Sequence, residues 1–154
     1  QAQGVLDSER FNLLRKLEFF AGFGDVELWE VVHRAKWERF HFGHALYRRG
    51  EEGRSFHVIA QGEVEVFRDG QLVVQLGVGT SVGEMAYLAP SKALRRHSAD
   101  VIVAKTATTI SFTPETMSQL SPSGRHLFDQ AFIHVLVRRL HAAHESLAHP
   151  RRIL

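Results

Sequence analysis

The most constraining feature of the sequence is a series of short apolar segments between residues 36 and 112, separated by glycines. The first five are KWERFHF, ALYRR, SFHVIAQ, EVEVFR and QLVVQLG, which run up to Gly43, Gly50, Gly62, Asp69-Gly70 and Gly77. Valines that alternate with glutamates in EVEVF indicate a strand with one buried face, and Asp-Gly is the strongest short hairpin signal. ADVIVA and TATTISF add two β-branched segments. This pattern predicts a closed or sandwiched antiparallel sheet.

Helical patterns flank the strands on both sides. Asp7 or the serine after it can cap a first helix, and Asp25 can cap a second. Thr113-Pro114 and Ser121-Pro122 each combine a capping side chain with proline at the first helical position. We therefore predict one domain over residues 1–154, with helices over 7–35, strands over 36–113 and C-terminal helices over 114–148.

The last predicted helix carries one long apolar stripe. Its members follow the helical spacing i, i+3, i+4, i+7; they are Phe128, Ala131, Phe132, Val135, Leu136, Leu140, Ala143 and Leu147. Such a stripe packs on the domain's own sheet or continues into a partner subunit. A homodimer through this helix is therefore an open possibility.

Composition excludes several classes of protein. The chain has no cysteine, which rules out disulfides and thiolate metal sites and fits a cytoplasmic location. No apolar run approaches the ~20 residues that a membrane span requires, and no secretory leader is visible. The chain begins with Gln rather than Met. We therefore expect a piece of a longer protein, with the output domain or partner outside this chain.

The sequence gives little support for a metal site or for catalysis. It contains ten histidines but no His-x-His pair, and His41 and His44 have no obvious third ligand. There is no His-Glu-x-x-His and no cysteine nucleophile. We predict a protein that is not an enzyme and that holds neither a metal nor a cofactor.

Direct binding of nucleic acid is also not expected. The net charge is only +2, and the tail AHPRRIL after Leu147 is too short to form a DNA-reading domain. Four arginines near the end of the chain are interpreted as a solvated face and a tail. They are Arg138, Arg139, Arg151 and Arg152.

The order of motifs closely resembles the cyclic nucleotide-binding domain family, whose members include the catabolite activator protein and the regulatory subunits of protein kinase A. The matching residues are Gly43, Gly50-Glu51, Gly53, Phe56-Val58-Ile59, Gly62-Glu63-Val64 and Gly83-Glu84. The resemblance covers residues 11 to 147. It implies a mainly β fold: an eight-stranded, jelly-roll-like antiparallel β-roll, N-terminal helices, a phosphate-binding cassette between strands and a C-terminal lid helix.

The segment GEMAYL would form the first half of that cassette. A short helix that begins at Gly83 would direct the backbone N–H groups of Glu84, Met85 and Ala86 toward an anion. Glycine at this position lets the backbone approach a ligand closely. By the resemblance, Glu84 would accept a hydrogen bond from the ribose hydroxyl.

The second half of the cassette departs from the family pattern. By the resemblance, the hydroxyl of Ser98 and the amide of Ala99 would bind the phosphate. The family has an arginine just before these two residues, but this chain has His97 there. Arg95 and Arg96 precede it in a loop that is longer than the usual form. Either the longer loop lets Arg96 bind the phosphate, or His97 faces the pocket while both arginines lie in water. Neutral imidazole offers one hydrogen-bond donor, whereas arginine is charged and can donate to two phosphate oxygens. The replacement would cost roughly 1.5–3 kcal/mol of binding free energy.

The sequence therefore predicts a regulatory sensor that binds a cyclic nucleotide, either cAMP or cGMP. The C-terminal helix would move over the base, with Val135, Leu136 or Leu140 against the purine. The alternative is a ligand-free relative that acts as an interaction or dimerisation module through its last helix.

Overall fold

An antiparallel sheet packed against helices makes up the computed structural model, which describes the backbone of residues 2–148 and the side chains of residues 4–147. Within that range the sheet has six strands: β1 Lys36–Phe40, β2 Ala45–Tyr47, β3 Phe56–Arg68, β4 Gln71–Leu76, β5 Ser81–Val82 and β6 Asp100–Phe112. The helices are α1 Ala2–Lys16, α2 Asp25–Arg34, α3 Glu84–Leu88, α4 Pro114–Ser118 and α5 Pro122–Ala148. Short 3₁₀ turns cover Glu18–Phe20 and Lys92–Arg95. The predicted fold class, mainly β with flanking helices, is confirmed.

The strand count is six in the described residues, where the resemblance implied eight. SFHVIAQ and EVEVFR form the single bent strand β3, and ADVIVA and TATTISF form the single strand β6. The bend lies at Gly62, whose φ of +86° is left-handed, and the pairing register shifts between Gln61 and Glu63. A glycine bulge of this kind bends a strand without ending it. The two central strands therefore continue through positions at which the sequence pattern suggested a break.

Strand order places β3 and β6 at the centre of the sheet. The path runs β1-β6-β3-β4, while β2 also pairs with β6 and β5 also pairs with β3. The β3–β4 hairpin turns at Asp69 and Gly70, whose φ values are 54° and 75°. Positive φ at both central residues is the conformation that favours Asp-Gly in two-residue hairpins. The predicted hairpin is confirmed.

Two apolar clusters fill the fold. The larger one joins the helices to one end of the sheet, and its largest fully buried side chains are aromatic: Phe20, Phe56, Phe112, Phe128 and Phe132. The smaller one lies within the β-roll and consists of Tyr47, Ile59, Val64, Val82, Val101, Val103 and Ala107. The long helix α5 is thus anchored to the sheet through its first half.

The second half of α5 leaves this core. Phe128 and Phe132 are buried, whereas Leu140 is 57% exposed and Leu147 is 79% exposed. The predicted stripe therefore packs on the domain only over its first turns. No helix in the described part of the chain is long and apolar enough to cross a membrane.

Hydrogen bonds fix the start of each C-terminal helix. Thr113 accepts a hydrogen bond from the Thr116 amide at 3.1 Å, as the predicted cap requires. Ser121 accepts one from the Gly124 amide at 3.0 Å, and its own amide and hydroxyl each donate to Glu30 of α2 at 2.6 Å. At the other end of the chain, α1 begins at Ala2, so both predicted capping residues, Asp7 and Ser8, lie inside that helix.

A buried histidine on β3 contacts β6. His57 is 6% exposed, and its Nδ1 atom lies 2.8 Å from the hydroxyl of Thr109. Its ring also makes edge contacts with Tyr47 and Phe40. Desolvation by burial lowers the pKa of His57 to about 4, although the charge of Glu38 acts in the opposite direction. His57 is therefore neutral in the folded protein near pH 7.

The bend at Gly62 gives a test of the sheet. A Cβ atom at Gly62 would lie 2.3 Å from the carbonyl oxygen of Thr106, and the left-handed φ adds a conformational cost. We expect Gly62→Ala to lower the free energy of unfolding by roughly 3 kcal/mol or more. Gly70→Ala is the matched control, because Gly70 has a similar φ with open space around it, and it should cost only about 1 kcal/mol. Equal losses in denaturant titrations would contradict the proposed bulge.

His57 predicts a loss of stability in acid. Its pKa in the folded state lies below the unfolded value of 6.5, so the unfolded chain binds a proton first as the pH falls. The stability that depends on neutral His57 is fully present above pH 6.5. It is lost between pH 6.5 and about 4, which lowers the free energy of unfolding by on the order of 3 kcal/mol. In denaturant unfolding, the free energy of unfolding should fall less between pH 7 and pH 4.5 for His57→Gln than for the wild type. An unchanged acid loss in the variant would rule out His57 as its source.

Candidate functional site

Gly83 joins β5 to the short helix α3 and lies against Tyr47. Its φ of +82° is left-handed, and an added Cβ atom would meet the Tyr47 hydroxyl oxygen at 2.3 Å. Tyr47 is fixed in turn, because its hydroxyl donates to the Ser55 carbonyl at 2.9 Å. Both the backbone conformation and the close approach therefore require glycine at this position.

Glu84, the next residue, is a buried carboxylate with only 2% of its side chain exposed. The Ser81 hydroxyl donates to its Oε1 atom at 3.0 Å, and the Met85 amide donates to its Oε2 atom at 3.3 Å. The guanidinium of Arg139, on α5, forms an ion pair with the same Oε1 atom. A buried carboxylate is tolerated when it has hydrogen bonds and an opposite charge, and Glu84 has both.

The rest of α3 turns different faces to the protein and to solvent. Ala86 is buried, whereas Met85 is 62% exposed. The Tyr87 amide donates to the Gly83 carbonyl at 3.4 Å, which closes the first helical turn. The amide of Met85, predicted to point toward an anion, donates to the side chain of Glu84 in this structure.

His97 lies at the other end of the cassette and packs on Tyr47, with 4.0 Å between the ring centroids. Its backbone pairs with the turn before β3: the His97 amide donates to Glu51 at 2.9 Å, and the Gly50 amide donates to His97 at 2.8 Å. Partial burial lowers the pKa of the His97 imidazole below its usual value, against the opposite effect of the Glu51 charge. Tyr47 thus contacts both Gly83 and His97 and joins the two ends of the cassette.

The neighbours of His97 differ in their exposure. Arg96 and Ser98 are exposed, and Arg96 donates to the Gly50 carbonyl at 2.8 Å, whereas Ala99 is buried. Arg95 is half-buried, and its Nε atom has no hydrogen-bond partner among the residues that the structure describes. The structure therefore has Arg96 on the surface and His97 against Tyr47, while Arg95 is not fully in water.

Three residues of this region make contacts that the sequence did not indicate. Tyr47 and Ser81 lie in short strands and belong to no motif. The one available signal was that Ser81 precedes Glu84 by three residues, which is consistent with their contact. Arg139 was interpreted as part of a solvated face, which is wrong for its guanidinium because that group binds Glu84 and the Ser81 carbonyl. Arg138 does lie at the surface, 62% exposed and paired with Glu18. Arg151 and Arg152 lie outside the described residues.

An apolar face of the β-roll continues from the smaller cluster. Val66 pairs with Val74 of β4 and with Val101 of β6, so the three side chains share one face of the sheet. Val101 is buried within the smaller cluster, but Val74 is 43% exposed. Among these three residues, Val74 therefore presents apolar surface to solvent.

Comparison with protein families and curated proteins gives the same assignment as the motifs. Residues 37–122, more than half of the 154 in the chain, match the family model described as "Cyclic nucleotide-binding domain". The mouse protein "Cyclic nucleotide-gated channel beta-3" is 29% identical over 113 residues, which are 71% of this chain and 16% of that protein. The chain therefore spans less than a fifth of the length of this curated relative.

Solved structures show the same fold. A cyclic nucleotide-binding domain from Methylobacillus flagellatus KT superposes with a TM-score of 0.79 at 17% identity, over 97% of this chain and 86% of that one. The structure described as Sp-2Cl-cAMPS bound to PKAR CBD2 gives a TM-score of 0.72 at 15% identity, over 97% and 94% of the two chains. At these identities the likeness concerns the fold alone. Together with the match over residues 37–122, it shows that the chain belongs to the cyclic nucleotide-binding domain family.

Proposed function

We propose that this chain is a regulatory module that binds cAMP or cGMP in the cassette between Gly83 and Ala99. Membership of the family supports the ligand class. The observation that carries the proposal is the buried carboxylate of Glu84 directly after the left-handed Gly83. In this proposal Glu84 accepts a hydrogen bond from the ribose hydroxyl, and the amides of Met85 and Ala86 lie beside the ligand. A regulatory rather than catalytic role and a cytoplasmic location belong to the same proposal.

His97 is the proposed basic partner of the phosphate, with the Ser98 hydroxyl and the Ala99 amide. Its support is the contact with Tyr47, the residue that also touches Gly83. Arg96 is less suited, because its guanidinium is exposed and bound to the Gly50 carbonyl. Because one imidazole replaces an arginine fork, we expect weaker binding than an arginine at this position would give.

The base would lie on the apolar face formed by Val66, Val74 and Val101. We propose that α5 then moves toward it and that Val135, Leu136 or Leu140 contacts the purine. A ligand that binds more tightly to one position of α5 shifts the population toward that position. The output domain or partner protein that responds would lie outside this chain.

The alternative function, a ligand-free interaction module, has its own support. The carboxylate of Glu84 is already satisfied within the protein, and the arginine expected beside Ser98 is missing. In addition, the second half of α5 presents apolar side chains to solvent. This second candidate and the sensor are distinguished by whether a nucleotide binds.

The exposed side chains of α5 form a regular seam on the face away from the core. They alternate at spacings of four and three: Ile133, Val137, Leu140, His144 and Leu147. The four apolar members are between 49% and 79% exposed. This is the heptad spacing with which two helices pack in a coiled coil. We propose that two copies of the chain associate through this seam.

Calorimetric titration with cAMP and cGMP tests the sensor. Wild-type, nucleotide-stripped protein should bind at least one of the two, and His97→Ala should weaken binding about tenfold, because it removes a phosphate donor. Arg96→Ala is the matched control and should change the affinity less. Binding should strengthen from pH 8 to pH 6 in the wild type, because burial holds the pKa of free His97 low and the phosphate favours imidazolium. This pH dependence should disappear in His97→Ala.

Either of two results would contradict the site. A larger loss in Arg96→Ala than in His97→Ala would transfer the phosphate contact to Arg96. No heat with either nucleotide, together with an unchanged melting temperature, would reject the sensor and leave the interaction module.

Sedimentation analysis tests the seam. Val137→Glu combined with Leu140→Glu places charges in the middle of the apolar face and should convert a dimer to a monomer, because like charges would be buried in contact. Ala142→Glu adds the same type of charge at an exposed position of α5 outside the seam, so it should leave the dimer intact. A wild-type chain that remains monomeric at high concentration would disprove the association.

A further inference from the structure

The carboxylate of Glu84 is enclosed by groups from its own protein. Ser81 and the Met85 amide hold it from the cassette side, and Arg139 holds it from α5. Solvent reaches only 2% of the side chain. A ribose hydroxyl can therefore reach this carboxylate only after one of these groups has moved.

Arg139 is the group that is placed to move. Ser81 lies within the sheet and is buried, and Met85 is the residue next to Glu84. Arg139 lies on the second half of α5, seven residues after Phe132, the last side chain of the helix that is buried in the core. Its own side chain is 42% exposed. The guanidinium is attached to the cassette through polar contacts alone: the ion pair with Glu84 and a 2.9 Å hydrogen bond to the Ser81 carbonyl.

Space for that movement lies beside the guanidinium. A cavity of about 410 Å³ extends between α5, the β4–β5 connection and the Glu18–Phe20 turn. Arg139, Ser81, Leu76, Val135 and Phe19 are among the residues that line it. The Arg139 side chain can therefore leave Glu84 without displacing packed core residues.

We propose that the Arg139–Glu84 ion pair is a latch that competes with the nucleotide for Glu84. The proposal rests on the function proposed above. In the closed latch, α5 is attached to the cassette and the carboxylate is neutralised. When the ribose hydroxyl takes its place on Glu84, the guanidinium is released, and the second half of α5 loses its attachment to the cassette. The second half of α5 is then free to move toward the base, and this movement is the signal to an output domain.

Competition of this kind is reciprocal. If the nucleotide weakens the latch by some factor, the latch weakens nucleotide binding by the same factor. Removal of Arg139 should therefore raise nucleotide affinity, on the order of 5- to 150-fold for typical couplings. It should also raise the opening of α5 in the absence of any nucleotide.

Hydrogen exchange on the nucleotide-free chain tests the attachment of α5. Amides of residues 136–147 should exchange faster in Arg139→Gln than in the wild type, because helix opening no longer breaks the ion pair. Glu84→Gln removes the same pair from the other side with little change of shape, and it should give a similar increase. Arg138→Gln is the matched control: it removes the same charge from the neighbouring exposed pair with Glu18 and should change exchange little. Equal exchange in the wild type, Arg139→Gln and Glu84→Gln would overturn the latch.

Titration of the same variants with cAMP and cGMP tests the competition. Arg139→Gln should bind more tightly than the wild type, while Arg138→Gln should bind like the wild type. Weaker binding by Arg139→Gln would overturn the proposal and identify Arg139 as a ligand contact. Binding by Arg139→Gln in the absence of wild-type binding would support the latch strongly. If no variant binds either nucleotide while Glu84→Gln and Arg139→Gln still exchange faster, the proposed function fails, and with it the competition, although the attachment of α5 is verified.

Discussion

The antiparallel pairing of β3 with β6 is the interaction on which the rest of the structure depends. Every other strand pairs with one of these two. At one end of the pair, Phe56 and Phe112 stack with ring centroids 4.8 Å apart and join the sheet to the helices. At the other end, Val66 and Val101 lie opposite each other on the apolar face beside the cassette. The helical core and the candidate site are thus two ends of one strand pair, which remains continuous because Gly62 bends it.

Charge burial gives this framework its second constraint. A carboxylate that solvent hardly reaches requires hydrogen bonds and an opposite charge. For Glu84 these come from β5, from α3 and from the distant helix α5. The position of α5 and the charge state of the cassette are therefore linked by electrostatics. An apolar residue at position 84 would leave the helix without this link.

Local signals in the sequence account for what could be predicted. Alternating valines, the Asp-Gly turn and the Thr-Pro and Ser-Pro caps each act within a few residues, and the structure contains all of them. The number of strands could not be read in the same way, because a glycine such as Gly62 can end a strand or bend it. The contact of Arg139 with Glu84 joins residues 55 positions apart, and no local pattern reports it. The apolar spacing of α5 likewise does not indicate whether the helix packs on the sheet or on another chain.

The attachment of His97 to the turn before β3 has a consequence for how this cassette can change through evolution. Backbone hydrogen bonds from Gly50, Glu51 and Gly53 hold residues 95–97, and Tyr47 holds the His97 ring. Residues 89–94, between α3 and this anchor, do not determine where Ser98 and Ala99 lie. Insertions and deletions in that stretch can accumulate without moving the ligand-facing ends. A loop longer than the usual form, as the sequence predicts, would therefore be compatible with an unchanged cassette geometry.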